Sequence, residues 1–270
     1  MVNYYKLDKI LEQGVSYEMP NDRFYVVRAI GTNSTTGAKL VIDGVETGEV
    51  ISTVAPLHKN GNNLLGPLEL GDFYYVIPPG KTFYVDGASG DKLRVIGQIG
   101  VLAPGEVLPA NHANRFNEQG SKYITYVTGS VQLAAAGGSW AVNAETEVYS
   151  LTPRTIETYR FAHVVLAELA NPASAPSEGD VALRFYLDGT PLDILTTEPG
   201  QKGIDYYSMP IPTNTSTERT PFTLADLPIE VKGDHTFMIK AINTSGAAIA
   251  ADSSNAMTMT VYAVVEYSKS

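Results

Sequence analysis

The sequence predicts an all-β chain built as two tandem antiparallel β-sandwiches, and three observations carry that expectation. Apolar residues fall in short runs rich in Val, Ile, Tyr, Phe and Thr, separated by Gly, Pro, Asn, Asp and Ser. That is the pattern of strands and turns, not of long helices. The order of these runs in the first half recurs in the second. Between the halves lies Ala134-Ala135-Ala136-Gly137-Gly138-Ser139, a tract with the composition of a linker. The domains expected are 1–133 and 134–270, each long enough for a sandwich of about eight strands. One continuous sandwich that reuses the same turns is the alternative.

In chain order, strands are expected at 24–30, 39–42, 49–54, 73–77, 82–85 and 93–102, then at 148–151, 159–169, 181–187, 228–231, 236–242 and 256–267. The last of these alternates Met257, Met259, Val261, Ala263 and Val265 with Thr258, Thr260, Tyr262, Val264 and Glu266, so one of its faces is buried. Asp43-Gly44 and Asp188-Gly189 each follow an apolar run and suit turns that need positive φ. Pro78-Pro79-Gly80 forces a break, because proline cannot donate to a ladder. Helical spacing is confined to Leu7, Ile10 and Leu11 before Gly14, and to 111–119 before Gly120. Residues 1–13 otherwise read as an N-terminal arm that orders in an assembly, their apolar pattern being too short to bury.

The internal correspondence is specific. Arg23-Phe24-Tyr25-Val26-Val27 and then Leu40-Val41-Ile42-Asp43-Gly44 match Arg160-Phe161-Ala162-His163-Val164 and then Phe185-Tyr186-Leu187-Asp188-Gly189. Later each half carries two strands around a turn, 81–85 with 92–99 against 235–242 with 257–265.

Composition narrows the chemistry. With 29 acidic against 19 basic residues the chain carries a net charge of −10, and no Lys/Arg cluster offers the cationic contacts that nucleic-acid binding requires. Apolar residues at 44% against 18% charged ones supply a core. Cysteine is absent, which removes disulfides, thiolate metal sites and cysteine nucleophiles. His58, His112, His163 and His235 stand singly, without the spacing of a zinc motif. Asp86-Gly87-Ala88-Ser89-Gly90-Asp91 reads as a turn, since it lacks the alternating ligands of a calcium loop. No Gly-x-Ser-x-Gly elbow or phosphate-binding glycine loop is present, so no catalytic residue and no cofactor is expected. The N-terminus lacks the unbroken apolar run of a secretion signal, and no stretch approaches the roughly 20 apolar residues of a membrane span.

Tyrosine is abundant, at 16 residues. In the pairs Tyr4-Tyr5, Tyr74-Tyr75 and Tyr206-Tyr207 an extended backbone sends neighbouring rings to opposite faces, one of them outward. Tyr74, Tyr75, Tyr206 and Tyr207 are therefore candidate interface residues. Glycosylation-type triplets begin at Asn33, Asn214 and Asn243.

Tandem sandwiches with this strand and turn layout, and with no catalytic motif, resemble the jelly-roll structural proteins of virus particles: coat, turret or spike subunits. The resemblance implies a non-enzymatic virion protein that self-associates into a symmetric homo-oligomer. Other virion proteins and a host-surface receptor or glycan would be its partners; a cofactor, nucleic acid and a membrane span are not expected. Exposed tyrosines and the loops at 56–67 and 193–221 would contact neighbouring subunits. The alternative is a carbohydrate-binding or surface-layer sandwich, although the single tryptophan, Trp140, is few for a glycan platform.

Overall fold

A computed structural model describes residues 2–57, 66–196, 201–209 and 222–270. The chain forms two compact units, Met1–Tyr126 with Glu266–Ser270, and Val127–Val265.

The first unit contains β1 (Asn3–Glu12), β2 (Ser16–Glu18), β3 (Arg23–Thr32), β4 (Lys39–Ile42), β5 (Val45–Glu46), β6 (Leu68–Glu69), β7 (Tyr75–Ile77), β8 (Thr82–Asp86) and β9 (Lys92–Val101), followed by helix α1 (Ala110–Glu118). One sheet runs β1-β9-β3-β6, with β7 also on β3, and the other runs β2-β8-β4-β5. All their strand pairings are antiparallel. Leu7, Leu11, Leu40, Ile42, Phe83, Val85, Leu93 and Val95 are buried, each such apolar side chain contributing about 1.5–3 kcal/mol.

The second unit begins within β10 (Lys122–Ala134) and continues through β11 (Ser139–Trp140), β12 (Glu145–Leu151), β13 (Glu157–Phe161), β14 (Val164–Ala170), β15 (Val181–Leu187), β16 (Thr190–Pro191), β17 (Ile204–Asp205), β18 (Phe222–Thr223), β19 (Ile229–Lys232), β20 (Phe237–Asn243), β21 (Ile249–Ala250) and β22 (Met257–Lys269). In one sheet β22 is bonded to β10, β14 and β13, with β18 on β14 and β19 on β13; the other runs β12-β20-β15-β16 with β17 on β15. β11 and β21 form a separate pair.

Strand order makes both units jelly rolls. With β6 and β7 counted as one strand, the first unit's sheets take the first, eighth, third and sixth strands and the second, seventh, fourth and fifth. Counting β13 and β14 as one and setting aside the short β11, β17, β19 and β21, the second unit repeats that order as β10-β22-β14-β18 and β12-β20-β15-β16. This is the eight-stranded double Greek key.

The correspondence read from sequence has a structural counterpart in the β4–β5 and β15–β16 hairpins. Asp43 and Gly44 have φ of 52° and 79°, Asp188 and Gly189 of 50° and 76°, the geometry of a two-residue turn matched to strand twist. In both turns the aspartate amide donates to a threonine carbonyl, Thr82 or Thr236. Its carboxylate meets the basic residue before that threonine, Lys81 Nζ at 2.6 Å or His235 Nδ1 at 2.7 Å. The paired runs 81–85 with 92–99 and 235–242 with 257–265 are not hairpins: β8 and β9 lie in opposite sheets, as do β20 and β22.

Several expectations are corrected. Residues 3–12 form neither helix nor arm. They are strand β1, registered against β9 from Asn3↔Val101 to Glu12↔Lys92, because Leu7 and Leu11 also share a face at strand spacing. Residues 49–54 make only the single bridge Val50↔Ala38 before a turn in which Ile51 O accepts from the amides of Val54 and Ala55; their apolar side chains are buried without a ladder. The tract 134–139 is a turn, with Gly138 N–H on Ala135 O and Gly137 N–H on Asp252 O. The expected strand at 159–169 is split into β13 and β14 at Ala162-His163.

Candidate interaction surfaces

β1 lies at an edge of its sheet, bonded among the described residues to β9 alone. Its outer face carries Tyr4, Lys6, Asp8, Ile10 and Glu12, all exposed. The even parity is outward because Tyr25, of odd parity in β3, has its ring 6.0 Å from Phe83 of the opposing sheet, whereas Phe24 meets Tyr4 at 6.1 Å. Asp8 takes a bidentate contact from Arg94 on β9, at 2.9 and 2.8 Å, which holds its carboxyl below the ordinary range. Glu12 pairs with Lys92 at 2.9 Å.

Part of the same outer face is covered. Phe24, Val26 and Leu102 form a small buried cluster with Val2, Tyr74 and Leu108 packed on it, and α1 lies against β7. His112 of α1 sits 5.4 Å from the Phe24 ring, with Tyr4 Oη 3.5 Å from Nε2 and Tyr74 Oη 3.3 Å from Nδ1. Arg28, which projects at a bulge in β3, stacks 4.0 Å from the Tyr74 ring centre. Burial lowers the His112 pKa, and the Arg28 charge lowers it further.

A pH dependence follows. A histidine whose folded pKa lies below its ordinary 6.5 contributes stability that is present above that value and is lost as pH falls through the folded one. Acidification below about 6.5 is expected to loosen α1 first, with amide exchange in 110–118 accelerating ahead of β4 and β8. His112→Gln should flatten that dependence; an unchanged profile would refute it.

Tyr74 and Tyr75 divide as an extended backbone requires, whereas Tyr206 and Tyr207 lie in a 3-10 turn (Tyr206–Ser208) and Tyr4 and Tyr5 are both exposed; of the four candidate rings, not all can serve an interface. Tyr75 is buried, its hydroxyl donating to Ile124 O at 3.5 Å, and desolvation pushes its pKa to about 12. Tyr206 is buried with its hydroxyl accepting from Leu169 N–H at 3.3 Å. These two rings fill the cores of their own units. Tyr74 and Tyr207 are half-buried, Tyr74 between Arg28 and His112 and Tyr207 donating to Pro176 O.

The other singled-out residues are structural. Asn243 is fully buried and its Nδ2 donates to the carbonyls of Trp140, Ala141 and Ala247, so its amide is committed to the fold and closed to glycosylation. Asn33 is exposed, its Nδ2 on Gly90 O at 3.2 Å; Asn214 lies outside the described residues. Asp91 turns its carboxylate onto the Ala88 amide at 2.8 Å, closing the loop between β8 and β9. Among the described residues no three metal-ligand side chains converge; His58, much of the 56–67 loop, and residues 197–200 and 210–221 of the 193–221 loop lie outside them. No helix among the described residues is long and apolar enough to cross a membrane.

Sequence reasoning passed over two features. Arg184 on β15 joins Asp193, Glu145 and the Tyr186 hydroxyl, with Lys240 4.6 Å above the Tyr186 ring. A groove of about 330 Å³ is lined by Leu187, Leu192, Ile194, Leu195, Leu227 and Ile229, with Ile194 72% exposed. Ion pairs between strands remote in sequence leave no local signal.

No protein-family model matches this sequence, and no curated protein matches it. Solved structures give weak likenesses. The major capsid protein P2 of bacteriophage PM2 is 15% identical, with 100% of this chain and 97% of that chain covered at a TM-score of 0.30. The capsid of PBCV-1 virus is 11% identical, with 99% and 94% covered at 0.32. BuGH86, solved in complex with neoagarooctaose, is 7% identical, with 92% of this chain but 32% of that chain covered at 0.24.

Proposed function

We propose that this chain is a structural subunit of a virus particle, located in the virion, that acts by self-association and contact with other virion proteins, without catalysing a reaction. The observation that carries this reading is the duplication of one complete jelly roll: two units with the same strand order in both sheets. Such sandwiches present long flat sides and loop-bearing ends on a rigid scaffold, the geometry of a subunit that touches several neighbours. Exposed Tyr4 and Tyr5 supply ordered aromatic area of the kind that anchors protein contacts.

Size-exclusion chromatography with light scattering, followed by electron microscopy of the same fractions, tests it. The expected result is a defined oligomer or particle whose population grows with concentration. A strict monomer that binds an oligosaccharide would overturn the reading in favour of a carbohydrate-binding sandwich.

A further inference from the structure

We infer that the free edge of β1 is a self-association surface, at which β1 of a second copy pairs antiparallel about a two-fold axis through Leu7. The inference rests on the reading that the chain self-associates, and it assigns the contact.

A ten-residue edge strand exposes a row of unpaired amides and carbonyls. Which residues carry them follows from two hydrogen bonds. Gln13 N–H turns toward β9 and donates to Asp91 O at 2.9 Å. Glu12 N–H turns away and is met by Tyr17 Oη at 3.1 Å. Because N–H direction alternates along an antiparallel strand, the amides of Tyr4, Lys6, Asp8 and Ile10 point to the open side. Their side chains are exposed as well, Tyr4 by 46% and Ile10 by 44%, with the neighbouring Tyr5 at 59%.

Charge then selects one register. Charged residues on an edge strand usually prevent pairing, and here they do so in most alignments that keep each face continuous. Two copies centred on Lys6 oppose the two Lys6 side chains; centred on Asp8, the two Asp8 carboxylates; centred on Lys9, the two Lys9 ammonium groups; and centred on Ile10, Asp8 faces Glu12. Centring on Tyr5 avoids a clash but joins only residues 3–7. Centred on Leu7, the copies pair over residues 3–11 with no like charges opposed. Lys6 faces Asp8 twice by symmetry, Tyr4 faces Ile10, Tyr5 faces Lys9, and Leu7 meets Leu7 on the buried face. Opposite charges and aromatic–β-branched pairs are favourable cross-strand neighbours, and the four open-side residues become the hydrogen-bonded positions of the new ladder. The strand that repels itself in its other long registers is complementary to itself in this one.

The absence of cysteine from the chain gives a direct test with the full-length protein. Lys6→Cys and Asp8→Cys are made separately at exposed positions. Directly opposed residues have Cα atoms about 5.5 Å apart, within disulfide reach, whereas identical residues sit a further two positions along the strand and out of reach. Oxidation of the mixed variants is expected to give the cross-linked dimer, and oxidation of either variant alone little of it. Lys6→Asp, which sets carboxylates against each other twice, should weaken dimerisation by about tenfold or more. Efficient cross-linking of Lys6→Cys or Asp8→Cys with itself would overturn the register. An oligomer that gives no cross-link and ignores Lys6→Asp would overturn the assignment of this edge while leaving self-association standing. A monomer at every concentration would overturn both.

Discussion

Phe237→Ala is expected to destabilise the second unit by about 3–5 kcal/mol, the range for emptying an aromatic site in a packed core. Phe237 lies on β20 with no exposed surface. Its ring centre is 4.3 Å from that of Phe161, on β13 of the opposing sheet, and 6.2 Å from that of Phe185, on β15 of its own sheet. The ring therefore ties the two sheets together where β20 begins and β12, β13 and β15 end. Ladders on both sides hold the backbones apart, so the space left by alanine cannot close fully and the lost contacts are not regained. Trp140 is the chain's one tryptophan and lies buried in this unit with Nε1 on Thr146 Oγ1, so its fluorescence follows this core during denaturation. The Trp140 transition should move to markedly lower denaturant in Phe237→Ala, and Phe237→Leu should recover more than half of the loss. A shift below about 1 kcal/mol would show that the sheets do not depend on this contact.

What was legible from sequence follows from the range of the interaction that fixes each element. The β4–β5 and β15–β16 turns were legible because Asp-Gly answers a local φ requirement, and β15 because both its faces are rich in apolar residues. β10 was missed as a strand. Its 13 residues are mostly half-buried or exposed and include Thr, Ser and Gly, so it is held by pairing with β22, 123 or more residues away in sequence, and not by its own pattern. β1 was misread because Leu7 and Leu11 satisfy a helical and a strand period alike; the long-range ladder to β9 decides between them. The candidate surface was half legible for the same reason. Adjacent tyrosines on an extended strand send rings to opposite faces, but which face is covered and which sheet edge is open depend on the order of strands, and strand order is not a local property.

Arg115→Ala is expected to cost the first unit about 3–5 kcal/mol, comparable with emptying the aromatic core but by a different mechanism. Arg115 is 6% exposed on α1. Its Nε donates to Tyr74 O at 2.8 Å, and its Nη2 to Phe73 O at 3.0 Å and Lys122 O at 2.7 Å. These carbonyls belong to the segment entering β7 and to the first residue of β10, where one guanidinium joins two stretches of backbone to the helix. Burial lowers the arginine's pKa, yet a guanidinium stays charged, and its charge is spread over carbonyl dipoles. Nη1, and Nε2 of Gln119 one turn further along, are buried without a partner among the described residues, so the cluster has no spare acceptor to absorb a rearrangement. Alanine removes the donors and strands three carbonyls at once. Arg115→Lys should rescue little, because a point charge on a flexible stem cannot reproduce the fork that spans all three. Arg115→Met, which fills the space without supplying donors, should fall between wild type and alanine. Hydrogen exchange reads the result: α1 and β7 amides should lose protection together in Arg115→Ala, along with Val76 N–H, which Gln119 Oε1 accepts at 3.0 Å. If Arg115→Met were as stable as wild type, packing alone would hold the helix and the carbonyl hub would contribute nothing.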